Sequence, residues 1–280
     1  MNNAERQLSI RRILVSLDAS PHSLAALDMA AELAGRLGAE LLGLFVEDAD
    51  LLRVAELPFA REVTFFSPSF RRLELQQLEQ QLRAQANQVR RALAEAAERA
   101  RVPWEFRVAR GAVAAELLAV AAEADLIVMG KLGRSLTRHL GSTVRTLILQ
   151  GSGLTMILER EHTLTAPPMI IYHGSALAPK ALDAAAHLVP AKGGHLSVII
   201  VADDKDSAQR LQSDALMQLQ AHGLGADFWV LINPTLSRLV QIVRMQGNGP
   251  LVLALGQGSL DAEGLCVLIS EVPNPVLLVR

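Results

Sequence analysis

A chain of 280 residues that is 50% hydrophobic and 20% charged has the composition of one large or two ordinary packed domains, and long disorder is excluded. Its formal net charge of −2 leaves no basic footprint for a nucleic-acid partner. One cysteine, Cys266, excludes an intramolecular disulfide or a thiolate metal cage, and with a polar opening from Met1 to Arg6 and no apolar run near the ~18 residues of a membrane span, a cytoplasmic protein without a membrane partner is expected.

The first apolar run, Ile13 to Leu17, ends in Asp18, and Ser20-Pro21 then supplies an N-cap and a first-turn proline for a helix from Leu24 to Leu37. Leu41 to Val46 reads as the second strand, followed by Glu47, Asp48 and Asp50 in a solvated loop. Ser67-Pro68 reads as another capped helix start. Beyond it Leu75, Leu78, Leu82, Ala86, Val89, Leu93, Ala96 and Ala100 draw one apolar stripe along a long helix. Such a stripe either packs on the helix's own sheet or recruits a partner. Strands at Phe106 to Val108, Leu126 to Met129 and Leu154 to Leu158 alternate with helices over Ala114 to Ala124 and Ser142 to Leu149. The runs are continuous rather than alternating, as in parallel strands covered on both faces. The order is βαβαβαβαβ.

Five runs return at Met169 to Tyr172, Leu196 to Val201, Phe228 to Ile232, Leu251 to Leu255 and Val276 to Val279. Their starts lie 156, 155, 122, 125 and 122 positions after those of the first set. Two blocks of near-constant offset indicate a duplication, with about 30 extra residues between strands two and three of the first copy. The expected organisation is α/β: two tandem Rossmann-like domains, each a five-stranded parallel sheet with helices on both faces. The first spans 1–160 and the second 169–280, joined by a polar linker over 161–168 that ends in Pro167-Pro168.

Open parallel sheets bind ligands beyond the carboxyl ends of their strands, where strand order reverses. With the first strand central and the fourth beside it, Asp18 faces Gly130 across that crevice. Gly130 and Gly133 permit close backbone approach, and Gly141, Ser142 and Thr143 present amides and hydroxyls at a helix start, where anions are favoured. Arg134, Arg138 and His139 lie between the glycines, placed to balance phosphate charge. Read blandly, Asp18 is a loop aspartate and Ser142 a helix cap. Lys131 follows the first glycine, so this is no Walker A loop, and no GxGxxG follows the first strand. The histidines form no metal-ligand pair at helical spacing. No catalytic base or nucleophile is identifiable, so the chain is not expected to be an enzyme. Cys266, set in Leu265-Cys266-Val267-Leu268, reads as a buried, inert thiol.

With these residues in place the chain resembles the universal stress protein family in a tandem form. The resemblance is carried by Ile13-Leu14-Val15-Ser16-Leu17-Asp18-Ala19-Ser20, the Ala-rich first helix, Leu41 to Asp48, Asp125 to Gly130, Gly141-Ser142 and the closing Val272 to Val279. Nucleotide-binding members hold ATP phosphates with Gly-x2-Gly-x9-Gly-Ser/Thr. The resemblance therefore implies a site of Ser16, Leu17, Asp18 and Val46 at the nucleoside, with Met129, Gly130, Gly133, Gly141, Ser142 and Thr143 at the phosphates. The second gap here is seven residues, which leaves ATP, ADP and AMP open, with Mg2+ as the accompanying ion. It also implies a stress-response regulator, a homodimer or a protein partner, and final strands (Leu154 to Leu158, Val276 to Val279) that pair across the two copies. Pro273 and Pro275 would then limit stray edge pairing.

The second copy lacks the motif. Tyr172-His173-Gly174 has no aspartate, and Gly264 is followed by Leu265, so no nucleotide is expected there and its role reads as architectural. Two alternatives stand beside the nucleotide reading. One is a nucleotide-free interaction module of the same fold, using the long helix or the sheet edges. The other is a related adenylyl-transferring or flavin-carrying enzyme, against which stands the lack of HIGH-type and SGGxDS-type sequences.

Overall fold

Apolar runs too short for buried helices become strands here because the inner ones are covered on both faces by Ala- and Leu-rich helices, while Val108, Trp229 and Val230 stay exposed on the two edge strands. The computed structural model describes residues 10–57, 61–64, 67–72, 74–132, 140–159, 165–189, 194–256 and 260–280, with side chains described outside 58–73. In chain order the first copy contains β1 (Arg12–Leu17), α1 (Pro21–Leu37), β2 (Glu40–Asp48), α2 (Ala49–Glu56), β3 (Arg61–Thr64), β4 (Ser67–Arg72), α3 (Leu75–Ala100), β5 (Trp104–Gly111), α4 (Val113–Ala121), β6 (Leu126–Gly130), α5 (Ser142–Gln150) and β7 (Leu154–Leu158). The second contains β8 (Met169–Tyr172), α6 (Ala178–Leu188), β9 (His195–Ala202), α7 (Lys205–Ala221), β10 (Gly225–Ile232), α8 (Leu236–Met245), β11 (Leu251–Ala254), α9 (Ala262–Glu271) and β12 (Val276–Val279).

Among the described residues the two halves build one ten-stranded sheet, ordered β10-β9-β8-β11-β12-β7-β6-β1-β2-β5. Strands within each half are parallel. The halves join where β12 and β7 run antiparallel, Val276 opposite Ile157 and Val279 opposite Leu154. Residues from both halves line each face of the sheet, one packed under α1, α3, α6 and α7, the other under α4, α5, α8 and α9. That shared sheet, rather than a surface contact, makes the joint.

Two sequence expectations change. Ser67-Pro68 does not start a helix: it opens β4, paired antiparallel with β3 in a two-stranded ribbon. A proline is tolerated at a strand start, and the helical stripe begins only at Leu75, so nothing apolar at 3.6-residue spacing supports a helix before it. Pro273 and Pro275 do not protect an edge either, because β12 lies inside the sheet between β11 and β7. Pro275 precedes the strand, where its missing N–H costs no ladder bond, and its carbonyl accepts from the Leu251 amide at 2.8 Å.

The stripe on α3 is accounted for within the chain. Leu78, Leu82, Ala86, Val89, Leu93 and Ala96 are all buried, in the same core as α1 and the sheet. At about 25 cal/mol per Å² of apolar area, covering this face is the main contribution to holding the helix.

Candidate functional site

The crevice is built by register. Leu17 pairs with Phe45, so Asp18 leaves the end of β1 level with Val46, which is still in β2 and paired with Ala109 of β5. On the other side Val15 pairs with Val128, which brings Gly130 level with Leu17. Ser16, Asp18 and Val46 are half-buried at this rim. Leu17 and Met129 are buried, their side chains packed into the two cores on opposite faces of the sheet, so only their main chains can face a ligand. Gly133, with Arg134, Arg138 and His139, lies outside the described residues.

The β1–α1 turn is shaped by its own polar atoms. Asp18 Oδ1 accepts from the Ser20 amide at 2.9 Å, and Ser20 Oγ caps α1 by accepting from the Ser23 amide at 3.1 Å. Ala19 between them takes φ +61°, a left-handed conformation unusual for alanine. Asp18 is thus half-buried and held in place through Oδ1.

Gly130 is required by a close approach. A Cβ there would lie 2.9 Å from His22 Cβ and 3.0 Å from the His22 carbonyl carbon and oxygen. His22, in the first turn of α1, donates from Nδ1 to the Glu159 carbonyl. Sequence reasoning missed His22; its signal was its place one residue after the Ser20-Pro21 helix start.

Lys131 also behaves differently from a loop lysine. Its side chain is 5% exposed, and Nζ donates to Glu159 Oε2 at 3.1 Å, to the Ser270 carbonyl at 2.9 Å and to the Val272 carbonyl at 3.0 Å. It therefore caps the C-terminus of α9, where a cation is favoured. Its main chain closes the loop: the carbonyl of Lys131 accepts from the Gly141 amide at 3.2 Å.

After Gly141 the helix α5 begins at exposed Ser142 and half-buried Thr143, with no side-chain cap among the described residues. An uncapped first turn leaves amides to an outside acceptor, and the helix dipole favours an anionic one. The corresponding helix of the second half is closed: Asp261 Oδ1 accepts from the Gly264 amide at 2.8 Å and puts a carboxylate where an anion would sit. Asp261 was readable in the sequence as an Asp three residues before Gly264, a cap spacing.

The rest of that second crevice differs too. His173 stands at the end of β8, and its Nε2 donates to the Ala254 carbonyl at 3.2 Å. Burial pushes its pKa down, and its Nδ1 and the Ser175 hydroxyl are buried without a hydrogen-bond partner among the described residues. At the rim of the first crevice, Glu47 pairs with Arg110 at 2.7 Å and Asp48 caps α2 through the Asp50 amide at 2.9 Å. These acids are engaged, and the described residues contain no group of three that could hold a metal ion. Cys266 is buried, and burial pushes its thiol pKa up.

The fold and this crevice define a tandem α/β protein whose halves share one sheet and whose first half carries an uncapped helix start at the topological switch point. The chain belongs to the universal stress protein family, whose profile it matches over residues 9–152. Its structure is similar to that of a universal stress protein from Archaeoglobus fulgidus DSM 4304 (18% identity, TM-score 0.75, covering 99% of each chain). It is also similar to a protein from Pseudomonas aeruginosa UCBPP-PA14 (14%, TM-score 0.60, covering 98% of this chain and 95% of that one). A functionally unknown protein from Pseudomonas aeruginosa PAO1 aligns likewise (15%, TM-score 0.58, 98% and 93%). At these identities the likeness concerns the fold. No curated protein matches. No helix among the described residues is long and apolar enough to cross a membrane.

Proposed function

We propose that the first half binds an adenine nucleotide, ATP before ADP or AMP, and that the protein is a cytoplasmic stress-response regulator rather than an enzyme. The observation that carries this reading is the convergence at one rim of Asp18, Val46, Gly130 and the uncapped start of α5. In it the second oxygen of Asp18 accepts from the ribose, Val46 borders the base, and the Ser142 and Thr143 amides receive phosphate. Gly133 of the motif completes the loop by sequence. Mg2+, where it accompanies the phosphates, would be held by them rather than by carboxylates of the rim, since Glu47 and Asp48 are engaged. Any hydrolysis would be slow for want of a positioned base. The second half is read as nucleotide-free, since Asp261 closes its helix start.

A second reading, a nucleotide-free interaction module, is favoured by two internal bonds: Asp18 with the Ser20 amide, and the Gly141 amide with the Lys131 carbonyl. Calorimetric titration with ATP, ADP and AMP separates the two, repeated on Asp18→Ala and Gly141→Val. Binding that both substitutions abolish supports the nucleotide reading. No heat with any of the three on the unaltered protein overturns it.

A further inference from the structure

The two helices that stand at equivalent places in the halves, α5 and α9, each have their C-terminus capped by a cation from the opposite half. Lys131 of the first half caps α9, as described. Arg280 of the second half reaches α5: its Nη1 donates to the Leu147 carbonyl at 2.9 Å and its Nη2 to the Ile148 carbonyl. The approach is tight, since a Cβ on Gly151 would lie 2.9 Å from Arg280 Nη1. Lys180 on α6 in turn holds the main-chain oxygen of Arg280 at 2.6 Å. Neither cation is a legacy of the duplication. The offset of 125 carries Lys131 to Gly256, and that of 122 carries Arg280 back to Leu158.

These two contacts bracket the candidate site. Lys131 lies directly after Gly130, and its carbonyl sets the position of Gly141. Arg280 lies at the other end of the nine-residue helix whose first amides the nucleotide reading puts at the phosphates. We propose that the second half sets the anion affinity of the first-half crevice, with Lys131 and Arg280 as positioning residues that fix the loop's start and the far end of α5. The role rests on the nucleotide reading. Its physical basis is that a short helix is marginal alone. Amides already ordered by a capped helix need not be ordered by the ligand, and the ordering cost otherwise comes off the affinity.

The test is calorimetric titration with ATP together with amide hydrogen exchange of the ATP-free protein, on Arg280→Ala, Lys131→Met and Arg280→Lys. The first two should each weaken ATP binding about tenfold, within the usual range of site coupling. They should also speed exchange from Arg145 to Leu149, the amides bonded within α5 from the Arg145–Gly141 bond onward, while Ile13 to Leu17 stay protected. Arg280→Lys should restore most of both. Unchanged ATP affinity in Arg280→Ala and Lys131→Met overturns the proposal even where exchange is faster, since the clamp would then serve stability alone. If the unaltered protein takes up none of ATP, ADP and AMP, the nucleotide reading fails and this role falls with it; faster exchange confined to α5 then marks a clamp that serves stability alone.

Discussion

Lys131 and Val272 lie 141 positions apart, yet the lysine ammonium sits 3.0 Å from the valine carbonyl in a buried contact that Glu159 completes. Removing the lysine leaves two carbonyls and a carboxylate without their cation. Lys131→Ala should cost about 3 kcal/mol, the range for breaking a buried pair by deleting one partner. Urea unfolding at fixed pH measures it as a lower midpoint. Glu159→Gln, which leaves the ammonium its two carbonyls, should cost less than half as much.

Gly130→Ala tests the close approach of α1. The added Cβ meets main-chain atoms of His22 at 3.0 Å, which cannot swing aside as a side-chain end can. A loss of about 1–3 kcal/mol is expected, as for overpacking. Gly43→Ala is the comparison: its Cβ meets the flexible Leu93 Cδ2 first, at 2.6 Å. Thermal unfolding should place Gly130→Ala lower than Gly43→Ala.

Ala19→Gly should be neutral to stabilising, by up to about 1 kcal/mol. Glycine relieves the left-handed strain at φ +61°, while its freer unfolded chain takes back part of the gain. Calorimetric melting would register the change. A clear drop in melting temperature would show that the turn does not hold alanine in that conformation.

Burial at the end of β8 gives His173 a pH signature. Its folded pKa lies below the ordinary histidine value of 6.5. Between those two values the unfolded chain binds the proton and the folded one does not, so stability falls as the pH drops through that window and is fully present above 6.5. His173→Gln should flatten the dependence of melting temperature on pH below 6.5. An identical pH profile in the variant would rule this out.

Much of the fold was legible. Apolar runs, broken by a charge only where Arg107 interrupts Phe106 to Val108, marked all ten strands of the main sheet, the offsets exposed the duplication, and the Ser20-Pro21 cap placed α1 because each signal lies within a few residues. The β3–β4 ribbon was not legible, since Ser67-Pro68 suits a helix cap and a strand start equally and only its antiparallel partner decides. At the site, Asp18 and Gly130 were placed from strand order, and Val46 from the family resemblance. His22 was missed because its importance comes from the approach of α1 to Gly130, which no local pattern records.

By itself the sequence determined the α/β alternation, the repeat, the helix caps and the residue types at the crevice, since these follow from periodicity and short-range hydrogen bonding. Tertiary structure alone decided that β7 and β12 run antiparallel, so that the two halves share one ten-stranded sheet. It also decided that Lys131 turns away from the crevice to cap a helix of the other half. A lysine next to a glycine loop has the same local signals whether it meets a phosphate or a carbonyl. Which one it meets depends on what the long-range packing brings within 3 Å.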